Sequence, residues 1–302
     1  MSVPRIAVLG SITLDATLHM PRFPVAGETL FADSAGVHAG GKGLNQAIAA
    51  ARLGADVSLI GRVGDDPFAA LLLDAAAQDG IETGHVVRGP GLTGVAVPVV
   101  VPSGENAILA APGANLALTV DDIERARDAI AASDALLVQF ETPIETVERA
   151  VAIAAAAGTR VILNPAPVRE FDASLLSAVS VLVVNEVEAT MLCGRRSLSR
   201  EQEAQALLAK GPGAVVVTLG PDGGVWARGV EAGRFDAFQV AATDSVGAGD
   251  CFCGALAVAL CEGRDRPEAV RFSAAAAAIS VTRAGAAASM PDREEVRELF
   301  SG

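Results

Sequence analysis

Residues 135–167, ALLVQFETPIETVERAVAIAAAAGTRVILNPAP, decide the architecture of this chain. A short apolar run, Ala135–Gln139, ends just before Glu141. A stretch of helical composition, Ile144–Ala157, follows, and a second apolar run, 160–163, closes the unit at Asn164-Pro165-Ala166-Pro167. Neither run alternates polar with apolar, as strands buried on both faces do not, and a parallel pair needs a helical crossover between its members. The flanking sequence repeats the pattern. Helix 122–132 leads into the first strand, segment 175–178 into strand 180–184, and helix 200–209 into strand 214–219. Polar or glycine residues gather where these strands end, at Asn185-Glu186-Val187-Glu188 and at Gly220-Pro221-Asp222-Gly223-Gly224. The spacing predicts an α/β fold with a doubly wound, mostly parallel sheet, whose ligands bind at the C-terminal strand ends.

Toward the N-terminus, strand 5–9 ends at Gly10 and continues Ser11-Ile12-Thr13-Leu14-Asp15. A dinucleotide site would need G-x-G-x-x-G at that point, so that class is excluded. Residues 12–38 are punctuated by glycine and proline, with a turn at 24–28, and read as short strands and loops. Strand 57–63 and helix 68–78 come next, the latter capped by Asp65-Asp66 ahead of Pro67. Segments 94–101 and 106–110 form a hairpin across Pro102-Ser103-Gly104-Glu105. Together with 12–38 this hairpin builds a small sheet outside the regular alternation. The alanine blocks at 154–157 and 274–278 are closely packed helix, and neither a repeat nor a linker is visible.

Two stretches carry chemistry. Residues 242–254, ATDSVGAGDCFCG, place Gly247, Ala248 and Gly249 immediately before Asp250 and a helical apolar run, 252–260. Small residues at the mouth of a helix let backbone N–H groups approach an anion, and the helix dipole adds partial positive charge. An anion hole beside a carboxylate suits phosphoryl transfer to an alcohol, with the carboxylate as general base. Residues 36–47, GVHAGGKGLNQA, nearly match a P-loop, but Gly43 stands where a hydroxyl should reach Mg²⁺, and no strand leads into it. What remains is a glycine-rich approach to helix 45–53, capped by Gly54, with Lys42 and Asn45 in its first turn.

Composition narrows the partners. A net charge of −13 with no basic stripe excludes nucleic acid. No apolar run approaches the roughly 18 residues of a membrane span. The N-terminus shows no charged head followed by an apolar core, so the expected location is the cytoplasm. Cys193, Cys251, Cys253 and Cys261 form no C-x-x-C pair, and His19, His38 and His85 stand apart, so no zinc site is visible. With no tyrosine and a single tryptophan, Trp226, the chain favours holding a ligand by hydrogen bonds over stacking it on a tyrosine or tryptophan.

Gly40-Gly41-Lys42-Gly43-x-Asn45-Gln46-Ala47 and Asp244-Ser245-Val246-Gly247-Ala248-Gly249-Asp250 resemble the two signatures of the ribokinase-like (PfkB) sugar kinases. Gly10-Ser11-Ile12-x-x-Asp15, Pro112-Gly113-Ala114-Asn115, Asn164-Pro165-Ala166-Pro167, Asn185-Glu186-x-Glu188 and Val281-Thr282-Arg283-x-Gly285-Ala286 match in order, so the resemblance spans nearly the whole chain. It implies one kinase domain over 1–302, with a lid built from segments 12–38 and 94–111. It also implies ATP-dependent transfer to a sugar's primary hydroxyl, D-ribose first, with another pentose, a ketohexose or a nucleoside as alternatives. A catalytically silent sugar-binding protein on the same fold is the remaining option.

Residue by residue, the resemblance makes Asp250 the base and Gly247, Ala248 and Gly249 the N–H donors to the transferring phosphoryl group. It assigns the sugar to Thr13, Asp15, Gly41, Lys42, Gly43, Asn45, Glu141 and Asp250. Asn185, Thr218, Gly220, Asp222, Gly223 and Gly249 fall to the nucleotide, and Glu188 to Mg²⁺ through water. Asp244, Val246, Ser280, Arg283, Gly285 and Ser289 match a monovalent-cation loop, with K⁺ as activator. A homodimer through the lid is also implied. Thr13 departs from the family pattern, since ribose-specific members carry Asn at that place.

Overall fold

The computed structural model describes residues 2–103, 105–194 and 198–301, so Gly104 of the expected hairpin turn lies outside it. In chain order the strands are β1 (Arg5–Leu9), β2 (Thr13–His19), β3 (Ser34–Gly40), β4 (Asp56–Gly64), β5 (Glu82–Gly89), β6 (Gly94–Val100) and β7 (Asn106–Ala111). They continue as β8 (Ala135–Gln139), β9 (Arg160–Asn164), β10 (Val181–Asn185), β11 (Val215–Thr218), β12 (Gly224–Arg228) and β13 (Glu231–Phe235). The helices are α1 (Lys42–Arg52), α2 (Pro67–Gln78), α3 (Val120–Arg125), α4 (Arg127–Ala131) and α5 (Ile144–Ala157). After them come α6 (Glu186–Cys193), α7 (Arg200–Leu208), α8 (Ala248–Cys261), α9 (Arg266–Ser280) and α10 (Arg293–Ser301).

Among the described residues the main sheet runs β13-β12-β11-β10-β9-β8-β1-β4-β5. All neighbours from β11 to β5 are parallel, while β12 and β13 add an antiparallel edge. Helices cover both faces. On β1, Ile6 and Val8 join one core with α1, α8 and α9, whereas Ala7 and Leu9 join the other with α5 and α7. That two-sided burial is what the unalternating apolar runs require.

Three expectations change in detail. Helix 122–132 is two pieces, α3 and α4, because Ala126 N–H bonds to Ile123 O, a tighter step that breaks the α ladder. Segment 175–178 is a 3₁₀ turn, Ala173–Ala178. The hairpin β12–β13 is not expected, since the apolar run of GVWAR, Val225-Trp226-Ala227, is only three residues long and EAGRF carries none. Trp226 lies in this hairpin against Gly233, where a Cβ would come within 2.8 Å of the indole nitrogen.

A second sheet, ordered β3-β2-β6-β7, stands apart from the first. Buried Asn115 ties the two together. Its Oδ1 accepts from Ile12 N at 2.9 Å, and its Nδ2 donates to Ile12 O and Pro112 O, each at 2.9 Å. The side chain thereby replaces backbone partners where the chain leaves for β2 and returns from β7.

A close helix crossing sets up the site. A Cβ on Gly254 of α8 would sit 2.7 Å from Ala49 Cβ and 2.8 Å from Gln46 O on α1. Only glycine allows that approach, which brings the first turns of α1 and α8 side by side. No helix among the described residues is long and apolar enough to cross a membrane.

Candidate active site

Asp250 lies in the first turn of α8, buried to 6% exposure, directly after Gly247 turns the chain in the left-handed region (φ 80°). Both carboxylate oxygens are engaged by α1. Asn45 Nδ2 donates to Oδ2 at 2.9 Å and Gln46 Nε2 to Oδ1 at 3.0 Å. Of the three proposed phosphoryl donors, Ala248 N–H bonds to Ser245 O at 3.3 Å. The N–H of Gly249 belongs to the first-turn donors that a helix leaves without internal partners. A Cβ on Gly249 would meet nothing within 4 Å, so open space lies in front of it.

Three cavities adjoin one another around Asp250. The first, about 510 Å³, lies between the two sheets and is lined by Thr13, Asp15, Gly41, Lys42, Asn45, Glu141 and Asp250. Burial pushes the Asp15 carboxyl up to about 6, with Glu141 and Asp250 adding repulsion and the Thr13 hydrogen bond, 2.8 Å, opposing it. Glu141 accepts from the Ser11 hydroxyl and, at 3.3 Å, from Lys42 N. Gly41 takes φ 95°, and a Cβ there would strike Ser11 O and Thr13 N. Gly43 serves packing instead: a Cβ would meet Gly10 C at 2.5 Å, and Gly43 does not line this cavity.

The second cavity, about 190 Å³, is lined by Lys42, Asn164, Asn185, Glu188, Thr218, Gly249, Asp250 and Cys253. The negative charge of Asp250, with Glu141 and Glu188 behind it, holds the Lys42 ammonium above the ordinary lysine value despite burial. Burial raises Glu188, whose carboxylate also accepts from Asn185 N at 2.9 Å in the cap of α6. One carboxylate and one amide suit Mg²⁺, which keeps most of its water and takes its other ligands from phosphates. Among the described residues no group of three or more His, Cys, Asp or Glu could hold a metal ion.

The third cavity, about 320 Å³, is an apolar slot. Phe235, Phe238, Phe252, Ala274, Ala277, Ala278 and Val281 line it, with Thr218, Gly220 and Gly223 at one side. Phe235 stacks on Phe252 of α8, ring centroids 5.8 Å apart. Asp222 faces a neighbouring groove with Arg200 and Arg234 rather than the slot. Thr218 and Gly249 line both slot and middle cavity, and Lys42, Gly247 and Asp250 line both middle and acceptor cavities. The three therefore form one path.

The loop before α8 meets the loop after α9. Asp244 Oδ1 accepts from Val246 N at 3.0 Å and Oδ2 from Gly285 N at 2.9 Å, while Thr243 N and Asp244 N both reach Val281 O. The Ser280 and Ser289 hydroxyls are buried, and the Arg283 side chain pairs with Glu295. A carboxylate, a hydroxyl and backbone carbonyls make an oxygen donor set that fits a weakly hydrated alkali cation.

Several contributors went unassigned in the sequence reading. Gln46 stood inside a quoted motif, yet its bond to Asp250 spans 204 positions and had no local signal. The slot residues of α9 were visible only as an alanine block.

An apolar slot that opens past a lysine and a glycine-lined helix mouth onto a carboxylate-rich pocket is the layout of a kinase of small polar alcohols. The description "pfkB family carbohydrate kinase" matches residues 3–293, and the chain belongs to that family. It is an ATP-dependent carbohydrate kinase. The chain is 41% identical to the ribokinase of Haemophilus influenzae over 98% of each chain. It is 35% identical to the deoxyribokinase of Salmonella typhimurium, again over 98% of each. The structure of Arabidopsis thaliana ribokinase complexed with ribose and ATP superposes with a TM-score of 0.91 at 32% identity, covering 100% of both chains.

Proposed function

We propose that this kinase phosphorylates D-ribose on its primary hydroxyl to give ribose 5-phosphate. The observation that carries the reading is the whole-length similarity to ribokinases, and the acceptor pocket is chemically suited to it. Asp15 and Glu141 accept from sugar hydroxyls. Asn45 Oδ1, buried without a partner, is left to accept another. The hydroxyl to be phosphorylated donates to Asp250. As its oxygen bonds to the γ-phosphorus and the bond to the ADP oxygen breaks, its proton passes to Asp250. Lys42 and the Gly249 N–H lie beside the charge that develops on the phosphoryl oxygens.

Mg²⁺, when bound with the nucleotide, neutralises phosphate charge, and Asn185 and Glu188 would hold it through water. Asp244, Ser289 and the carbonyls of Val246, Ser280, Arg283 and Gly285 would hold K⁺, fixing the loop that delivers Gly247. The second sheet acts as a lid over the acceptor pocket. Its exposed apolar side chains, Val37 and Leu109, would pair with a second copy.

A 2-deoxypentose is the second reading. Thr13 directs its hydroxyl proton to Asp15 and offers the sugar no amide donor. A coupled ADP-release screen over pentoses, 2-deoxyribose, ketohexoses and nucleosides separates the two, with ribose expected to give the highest kcat/KM. A higher value for any other acceptor overturns the proposal. The same assay run in Na⁺ instead of K⁺ is expected to slow, and equal rates would remove the cation assignment. Light scattering is expected to give a dimer.

A further inference from the structure

Two glutamines stand behind Asp250, away from the acceptor pocket. Gln46 on α1 and Gln139 at the end of β8 are both fully buried. Gln139 Nε2 donates to Gln46 Oε1 at 2.7 Å, and Gln46 Nε2 donates to Asp250 Oδ1 at 3.0 Å. The chain of amides has one sense only. If Gln46 turned over, its oxygen would face the carboxylate, and the Gln139 donor would face an NH₂ group. At its far end Gln139 Oε1 is buried with no partner. It lies where a Cβ on Gly10 would be, 2.0 Å away.

Burying two amides and leaving one acceptor unpaired costs stability that a pair of apolar side chains would not. The group that benefits is Asp250. Its other oxygen is held by Asn45, so the carboxylate plane is fixed from two sides by consecutive residues of α1. We propose that Gln46, oriented by Gln139, is a positioning residue for the base. It holds the carboxylate so that the lone pairs facing the acceptor pocket stay free for the incoming hydroxyl. This rests on Asp250 being the base.

The test compares Gln46→Met, which keeps length and loses the donor, with Gln139→Leu and with the double variant. Gln46→Met is expected to lower kcat on the order of 10²-fold, as a misplaced catalytic group does, with the KM values for sugar and ATP within about twofold of wild type. Gln139→Leu, which only frees Gln46 to turn, is expected to lose less. The double variant is expected to keep or raise Tm while remaining slow, since both buried polar groups are gone. Wild-type kcat in Gln46→Met overturns the proposal. So does a kcat loss accompanied by an equal loss of folded protein in both single variants. Asp250→Asn is the control: if it turns over normally, the base assignment fails, whereas an inactive Asp250→Asn beside a normal Gln46→Met sinks only the positioning role.

Discussion

Asp15, Lys42, Asn45 and Glu141 face the pocket proposed for the sugar with charges and an amide, whereas Phe235, Phe238, Ala277 and Ala278 face the apolar slot, which we assign to the nucleotide, with rings and methyl groups. The middle cavity joins the two, sharing Asp250 with the pocket and Gly249 with the slot, yet the two offer their ligands different physics. Hydrogen bonds are directional and expensive to leave unmade, so each acceptor residue matters singly. The slot works through area and shape, shared over many residues, so no one of them dominates.

Substitutions can break that contrast at its weakest points. The largest effect is expected at the junction. Asp250→Asn should lower kcat by roughly 10²–10⁴-fold and leave both ligands bound, which titration calorimetry with sugar and a non-hydrolysable nucleotide can read. Wild-type turnover in that variant would remove Asp250 as the base. Next comes Ala277→Leu, which overfills the slot. ATP binding should weaken by about 1–3 kcal/mol, with the sugar KM and saturated kcat unchanged. An equal rise in sugar KM would show that the halves are mechanically coupled.

The smallest effect is a pH dependence confined to one half. Asp15 is raised from 3.8 to about 6 by burial, so in the proposed complex its carboxylate accepts from sugar hydroxyls above that pH and is protonated below it. Sugar KM should therefore rise about tenfold per pH unit below 6, a dependence that Asp15→Asn removes. The sign for stability is the reverse. A carboxyl raised in the folded state binds its proton more tightly there than in the unfolded chain. The penalty from Asp15 is thus present above pH about 6 and relieved as pH falls toward 4. Asp15→Asn should raise Tm at pH 8 and leave it unchanged near pH 4. A Tm equally raised at both would point to a cause other than ionisation.

The same contrast explains what could be read from residues alone. The residues that line the acid-rich pocket were legible because Asp15, Lys42 and Asp250 carry their charges singly, Lys42 and Asp250 at helix mouths and Asp15 near the start of β2. The slot was not. Ala274, Ala277, Ala278 and Val281 recur at i, i+3, i+4 and i+7, the spacing of any buried helix face, and nothing in it says whether a helix or a nucleotide lies opposite. The parallel core from β8 to β11 was legible because two-sided burial writes unbroken apolar runs. Hairpin β12–β13 was not, since the three-residue apolar run of β12 is short and edge strand β13, with its glycine and charges, looks like loop. Gln139 and Gln46 were opaque for another reason: polar residues are read as surface unless a partner is known, and theirs are far away in the chain.

Trp226 gives this asymmetry a practical side. The chain has one tryptophan and no tyrosine, so its near-ultraviolet emission comes from a single indole. That indole sits on the hairpin whose other strand ends in Phe235, a wall of the slot, and Phe235 rests on the helix of Asp250. The molecule carries an optical gauge beside its apolar slot, while the acid-rich pocket, lined by neither tryptophan nor tyrosine, stays dark.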